Sequence, residues 1–196
     1  MKKKEKLSVD IPTIEEIENE QKRLRHRAVY QRTLRGTIAV LLVVAAISVL
    51  VATLWMPVLQ IYGSSMSPTL EAGQIVVSVK TNQLKTGEVV AFWQGNKLLI
   101  KRVIAGPGQW VDIDMDGNVT VDGKELTEDY LDVKALGNCD VELPHQVEES
   151  RWFLMGDNRD VSVDSRSVAI GDVSKDQIEG KIVFRIWPLN KTGSIQ

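Results

Sequence analysis

A mostly β fold of antiparallel strands, preceded by one N-terminal transmembrane helix, is what the sequence predicts. Three observations carry this. No Asp, Glu, Lys or Arg occurs from Gly36 to Leu70. Beyond that run, short stretches rich in Val, Ile and Leu are separated by Gly, Asp and Asn turn residues, the pattern of strands joined by tight connections. In that part only Ser174–Glu179 carries a helix signal, with Ser174 placed to cap it.

At 196 residues the chain holds one domain and an appendage. Its net charge of −2 hides an asymmetry. Ten Lys/Arg against six Asp/Glu precede residue 36, and fourteen against twenty follow from Glu71 onward. An acidic body with no concentrated basic face argues against nucleic acid as a partner. The single cysteine, Cys139, has no intrachain disulfide partner and reads as a small buried apolar residue. No group of His, Cys and acidic residues has metal-ligand spacing, so neither metal nor other cofactor is expected.

Residues 1–35 read as a cytoplasmic basic tail, solvated and partly helical. Lys2, Lys3, Lys4 and Lys6 open it, and Ile11-Pro12-Thr13 before Glu15 and Glu16 marks a helix start. The later basic residues Lys22, Arg23, Arg25, Arg27, Arg32 and Arg35 suit contact with anionic headgroups, and His26 belongs to the same solvated tail. Residues 36–59 are the expected transmembrane helix. Its core, Thr37 to Leu59, would be about 35 Å long, enough for a bilayer core of about 30 Å. A cleaved signal peptide is the alternative, but the apolar run exceeds the roughly 7–15 residues of such a segment. The basic residues ahead of the span put the N-terminus in the cytoplasm and the body outside. Trp55 and Tyr62 fall where an interfacial belt would lie, and Pro57 marks the end of the regular helix.

Residues 60–196 form the expected extracytoplasmic β-rich domain. Gln74–Val79, Glu88–Trp93, Lys97–Ile104, Val111–Ile113, Val119–Val121, Trp152–Met155 and Lys181–Trp187 are its strand candidates. Asp116-Gly117-Asn118 and Asp122-Gly123 supply hairpin turns.

The stretch Gly63-Ser64-Ser65-Met66-Ser67-Pro68-Thr69-Leu70 lies just past the apolar span. Gly-Ser-Ser and Ser-Pro are ordinary loop chemistry, and a serine becomes a nucleophile only with a base beside it. Of the two histidines, only His145 shares the body with these serines, which leaves a Ser-His-Asp triad open. Lys101 is the other candidate. It stands in Leu98-Leu99-Ile100-Lys101-Arg102-Val103-Ile104, and strict alternation would turn either Lys101 or Arg102 inward. A solvated edge-strand charge is the bland reading. As a base, Lys101 needs its pKa lowered by roughly three units from about 10.4, which apolar burial can do, helped by repulsion from Arg102.

With Ser65 and Lys101 taken together, the chain resembles the bacterial type I signal (leader) peptidases, in the compact single-span form typical of Gram-positive bacteria. Ser65-Met66-Ser67-Pro68-Thr69-Leu70 resembles the nucleophile box of that family. Lys101-Arg102-Val103-Ile104-Ala105-Gly106-Pro107-Gly108 resembles its general-base box. Gly156-Asp157-Asn158-Arg159-Asp160-Val161-Ser162-Val163-Asp164-Ser165-Arg166 resembles its third box, Gly-Asp-Asn-Arg-x-x-Ser-x-Asp-Ser-Arg. The likeness covers roughly residues 37–190. It departs at Gln74 and Gln109, where the family often has Asp, at Ala105-Gly106, and at Ala169-Ile170-Gly171.

The resemblance implies an antiparallel β catalytic domain and a Ser-Lys serine endopeptidase, with Ser65 as nucleophile and Lys101 as base. Such an enzyme would cleave signal peptides from exported preproteins after small residues at −1 and −3, at the outer face of the plasma membrane. Signal peptides and the lipid bilayer are then its partners. Ser162 would orient the Lys101 amine, Asp164 would pair with Arg166, and Asp157 would support that network. The oxyanion would be held by the Ser65 N–H and a donor near Gly63, either backbone or Ser64. Ile61, Met66, Leu70, Val76, Leu99 and Ile100 would line the substrate pockets, ordinary core packing being the alternative for them. Two rivals stay open: a self-cleaving repressor with the same dyad, and a non-catalytic relative acting as a membrane-anchored assembly factor.

Overall fold

The computed structural model describes residues 13–81 and 83–195. The chain divides into a helical N-terminal unit and a unit from Val51 onward. Helix α1 runs without a break from Ile14 to Trp55. Thr13 opens it with a capping box: its Oγ1 accepts from the Glu16 N–H at 3.4 Å, and the Glu16 carboxylate accepts from the Thr13 N–H at 2.8 Å. The expected start at Thr13 is therefore observed. Ile11, Pro12 and Lys2, Lys3, Lys4 and Lys6 lie outside the described residues.

Two expectations change. The tail from Ile14 to Arg35 is continuously helical rather than partly so, because nothing between it and the apolar segment breaks the helix. The apolar helix ends at Trp55, short of Leu59. Pro57 disfavours helical geometry in the residue before it, and Val58–Gln60 forms strand β1 instead. The apolar part from Thr37 to Trp55 is about 28 Å long and still matches a bilayer core of about 30 Å. No residue of α1 is buried, and Leu41, Leu42, Val43 and Leu50 all stand outward, as a helix facing lipid requires.

Eleven further strands follow: β2 (Ile75–Val79), β3 (Val89–Gln94), β4 (Lys97–Ala105), β5 (Trp110–Ile113), β6 (Val119–Val121), β7 (Lys124–Glu125), β8 (His145–Gln146), β9 (Arg151–Met155), β10 (Val173–Ser174), β11 (Ile178–Trp187) and β12 (Gly193–Ser194). The larger sheet has the order β1-β2-β11-β3-β4-β9-β10, with β12 on β11, and the smaller has β7-β6-β5-β8. Every pairing is antiparallel. The expected strands are all present within a residue or a few at their ends. Ser174 precedes a 3-10 turn at Lys175–Gln177, and its N–H donates to Gln177 Oε1 at 2.9 Å. The very short β1, β7, β8, β10 and β12 carry no alternation long enough to read.

Asp122 and Gly123 both have positive φ, 50° and 74°, the geometry of the two-residue turn between β6 and β7. Three apolar clusters fill the body. Ile104, Val111, Val119 and Phe153 join the two sheets. Val90, Phe92, Val103 and Leu154 pack the opposite face of the large one. The third, built on Ile61, Met66, Leu70, Val76, Ala91 and Ile182, anchors the Ser65 loop.

Candidate active site

The Ser65 loop is a tight turn. The Ser67 N–H bonds the Ser64 carbonyl at 3.1 Å and the Leu70 N–H bonds the Met66 carbonyl at 2.8 Å. Met66 and Leu70 drive into the core while Ser64 stays exposed and Ser65 half-buried. The loop is tied to the third box by the Asn158 N–H, which donates to the Ser65 carbonyl at 3.0 Å. Gly156 sits between them: a Cβ there would collide with Ser162 Oγ and lie 2.5 Å from the Ser65 carbonyl oxygen. Ser65 and Ser162 thus meet across a glycine because only glycine fits the gap.

Strand β4 carries Lys101. Expectation turned one of Lys101 and Arg102 inward, but both are buried, at 3% and 1% exposure. The strand is central, so each of its faces meets protein. Arg102 is neutralised in place: its Nε and Nη2 donate to Asp157 at 2.9 and 2.7 Å, its Nη1 donates to the Gly87 carbonyl at 2.6 Å, and the Tyr130 ring lies 3.8 Å away. Among the described residues, Lys101 makes no ion pair. Burial lowers its pKa from 10.5 to about 8, against the pull of Asp164, with help from Arg166 and against Asp157. The repelling guanidinium is therefore that of Arg166, not the neighbouring Arg102, which is paired with Asp157.

Asp164 and Arg166 pair as expected, with Nε–Oδ1 and Nη2–Oδ2 both 2.9 Å, and Asp164 also accepts the Gly156 N–H at 2.9 Å. Burial alone would raise the Asp164 pKa. The Arg166 guanidinium, with smaller help from Gly156 and the nearby Ser162 hydroxyl, holds it below the usual range. Asp157 pairs with Arg102 rather than joining Asp164 and Arg166. Among the described residues Ser162 Oγ is buried near Asp164 without a hydrogen bond of normal geometry, and neither its expected bond to the Lys101 amine nor one between the amine and the Ser65 hydroxyl is formed in this structure.

A groove of about 550 Å³ opens beside Ser65. Ile61, Gly63, Met66, Leu99 and Ile100 line it, while Leu70 and Val76 are wholly buried in the cluster that carries it. Gly63 is exposed with φ of 85° and open space where a side chain would go. Three departures from the resembled family have clear roles. Gln74 accepts from Arg185 Nη1 at 3.1 Å, and Gln109 Oε1 accepts the Gly106 N–H at 2.8 Å. Ile170 packs on the core cluster built on Val90, Phe92 and Leu154.

His145 is elsewhere. Its Nε2 lies 3.0 Å from Asp172 Oδ1 and its ring is tilted on Phe153, on the small sheet. Cys139 is half-buried, and burial raises its thiol pKa. No group of His, Cys and acidic side chains fit to hold a metal occurs among the described residues.

Sequence reasoning missed Glu128, Tyr130 and Arg159. Arg159 Nη1 donates to Glu128 Oε2 at 3.2 Å, Nη2 donates to Glu128 Oε1, and Arg159 Nε donates to the Gly156 carbonyl. Tyr130 donates to Glu128 Oε1 at 2.9 Å, and burial raises its pKa. Glu128 sits in an acidic stretch that reads as solvated loop. Arg159, inside the third box, was the one signal on the page.

Residues 34–187 match the family described as signal peptidase, peptidase S26. The chain is similar to signal peptidase IB of Staphylococcus aureus (strain COL), 37% identical over 152 residues, covering 67% of this chain and 78% of that protein. It is also similar to signal peptidase I of Bacillus licheniformis, 32% identical over 169 residues, covering 78% of this chain and 88% of that protein. Among solved structures, a signal peptidase I from Enterococcus faecalis V583 aligns with a TM-score of 0.43 at 25% identity, covering 52% of this chain and 98% of that one.

Proposed function

The chain belongs to the signal peptidase family, peptidase S26, and on that premise we propose that it is a membrane-anchored serine endopeptidase that removes signal peptides from exported preproteins. The observation that carries the mechanism is the buried Lys101 amine, without an ion-pair partner among the described residues and held at a pKa of about 8. About one amine in ten is then neutral at pH 7 and about nine in ten at pH 9.

Neutral Lys101 takes the Ser65 proton as Ser65 Oγ attacks the scissile carbonyl carbon. The oxyanion forms beside the Ser65 N–H, which has no acceptor among the described residues, with a second donor at Gly63 or Ser64. The Lys101 ammonium returns the proton to the leaving amine. Lys101 then deprotonates the water that opens the acyl-enzyme. Ser162, the buried hydroxyl across Gly156, would steady the amine once the long lysine stem turns toward it, since such bonds often tighten only when substrate binds. The apolar lining at Ile61, Met66, Leu99 and Ile100 suits small apolar residues at −1 and −3.

The preponderance of basic residues before the span supports a cytoplasmic N-terminus and a body at the outer face of the plasma membrane. Strand β1, which among the described residues pairs only with β2, offers its other edge to an extended peptide.

The test is cleavage of a synthetic preprotein with Ala at −1 and −3 by the detergent-solubilised protein. Ser65→Ala and Lys101→Ala should each abolish it, and the rate of the unmodified protein should rise about tenfold from pH 7 to pH 9. Cleavage by Lys101→Ala, or a rate still climbing steeply beyond pH 10, would reject Lys101 as the base.

A further inference from the structure

The groove is larger than two small side chains require. Beyond Ile100 it continues past Leu98 and Asn96 to Trp93. Trp93 lies directly opposite Leu98 in the β3–β4 ladder, and Ala91 directly opposite Ile100. Opposed residues share a face of the sheet, so the Trp93 ring extends the floor made by Leu98 and Ile100.

Resting on the peptidase reading above, we propose that Trp93 forms a further subsite that binds a large apolar side chain of the substrate upstream of −3. The ring is fixed in place. Its Nε1–H donates to Glu179 Oε2 at 3.0 Å, Glu179 lies 3.9 Å from Lys80 Nζ, and the Trp93 carbonyl accepts from Gln177 Nε2 at 3.1 Å. The residue nevertheless remains 42% exposed. Gly95, at φ of 57°, turns the chain back immediately beyond it. A rigid, uncovered indole costs little ordering entropy when it is covered by a ligand.

Position follows from strand geometry. A strand rises about 3.3 Å per residue, so the Trp93–Leu98 pair stands about 10 Å along β4 from Lys101. An extended substrate with its scissile bond at Ser65 reaches that level with the residue at −4 or −5. Among the described residues no charged side chain lines the groove itself, the Glu179 carboxylate meeting only the Trp93 Nε1–H, so Leu or Phe suits this place and Asp or Lys does not.

The experiment compares preprotein peptides with Ala at −1 and −3 and either Leu, Gly or Asp at both −4 and −5. They are cut by the unmodified full-length protein, Trp93→Ala and Trp93→Phe in detergent. The unmodified protein should prefer Leu over Gly by about tenfold in kcat/KM, the difference lying in KM. Trp93→Ala should lose that preference while keeping its kcat for the Gly peptide, and Trp93→Phe should retain most of it. Equal discrimination by Trp93→Ala, or an equal loss on every peptide as a bilayer contact or a folding defect would give, overturns the subsite. Cleavage by the unmodified protein with no Leu–Gly difference overturns the subsite alone, whereas no cleavage of any peptide overturns the peptidase reading with it.

Discussion

Replacing Lys101 by Met should stabilise the fold at neutral pH while ending catalysis. The lysine is buried, and burial is the main reason its pKa is about 8 rather than 10.5. That gap corresponds to roughly 3 kcal/mol of preference for the neutral form. Between those two values the unfolded chain holds a proton that the folded chain has released. Stability therefore rises with pH from about 8 to about 10.5. Below pH 8 both states are protonated and the folded state carries the whole penalty; above 10.5 it carries none. Methionine fills a similar volume without charge. The gain for Lys101→Met should approach about 3 kcal/mol at pH 7 and fade to nothing near pH 11. Urea unfolding of the detergent-solubilised protein, followed by tryptophan fluorescence at a series of pH values, reads both. A variant no more stable than the unmodified protein at pH 7, or a difference that does not shrink as pH rises, would refute burial as the cause of the low pKa.

Three other outcomes follow from the same geometry. Gly156→Ala would drive a methyl group against Ser162 Oγ and the Ser65 carbonyl. It should cost about 1–3 kcal/mol of stability and, through misplacement of Ser65, about a hundredfold in kcat, read by unfolding and cleavage assays. Asp157→Ala strands the Arg102 guanidinium at 1% exposure and should lower stability by about 3–5 kcal/mol, whereas the double change Arg102→Met, Asp157→Leu recovers most of it; urea midpoints separate the two. His145→Ala removes the 3.0 Å contact with Asp172 and should lower stability by about 1 kcal/mol while kcat stays within twofold. A loss of activity there would revive the triad that the sequence left open.

Much of this protein was legible in its residues because the signals were local. A charge-free run after a basic tail dictates an apolar helix. Short Val/Ile runs broken by Asp122-Gly123 and similar turns dictate antiparallel strands, and three boxes in order single out Ser65, Lys101 and the Gly156–Arg166 loop. What is periodic, or written in consecutive residues, survives in one dimension. The end of the helix did not, because Val58 and Leu59 are equally apolar as helix or strand. Only their pairing with Val77 and Val76 decides between the two. The burial of both Lys101 and Arg102 was also hidden. Alternation gives each side chain a face, but only the packed body supplies Asp157 and Tyr130 on one side. Glu128 and Arg159 are 31 residues apart, and Trp93 acquires its place in the groove only through its opposition to Leu98. The sequence by itself determined which groups could do chemistry. Tertiary structure decided which charges are neutralised and which buried amine, among the described residues, is left without an ion pair, since desolvation and pairing depend on neighbours brought in from distant parts of the chain.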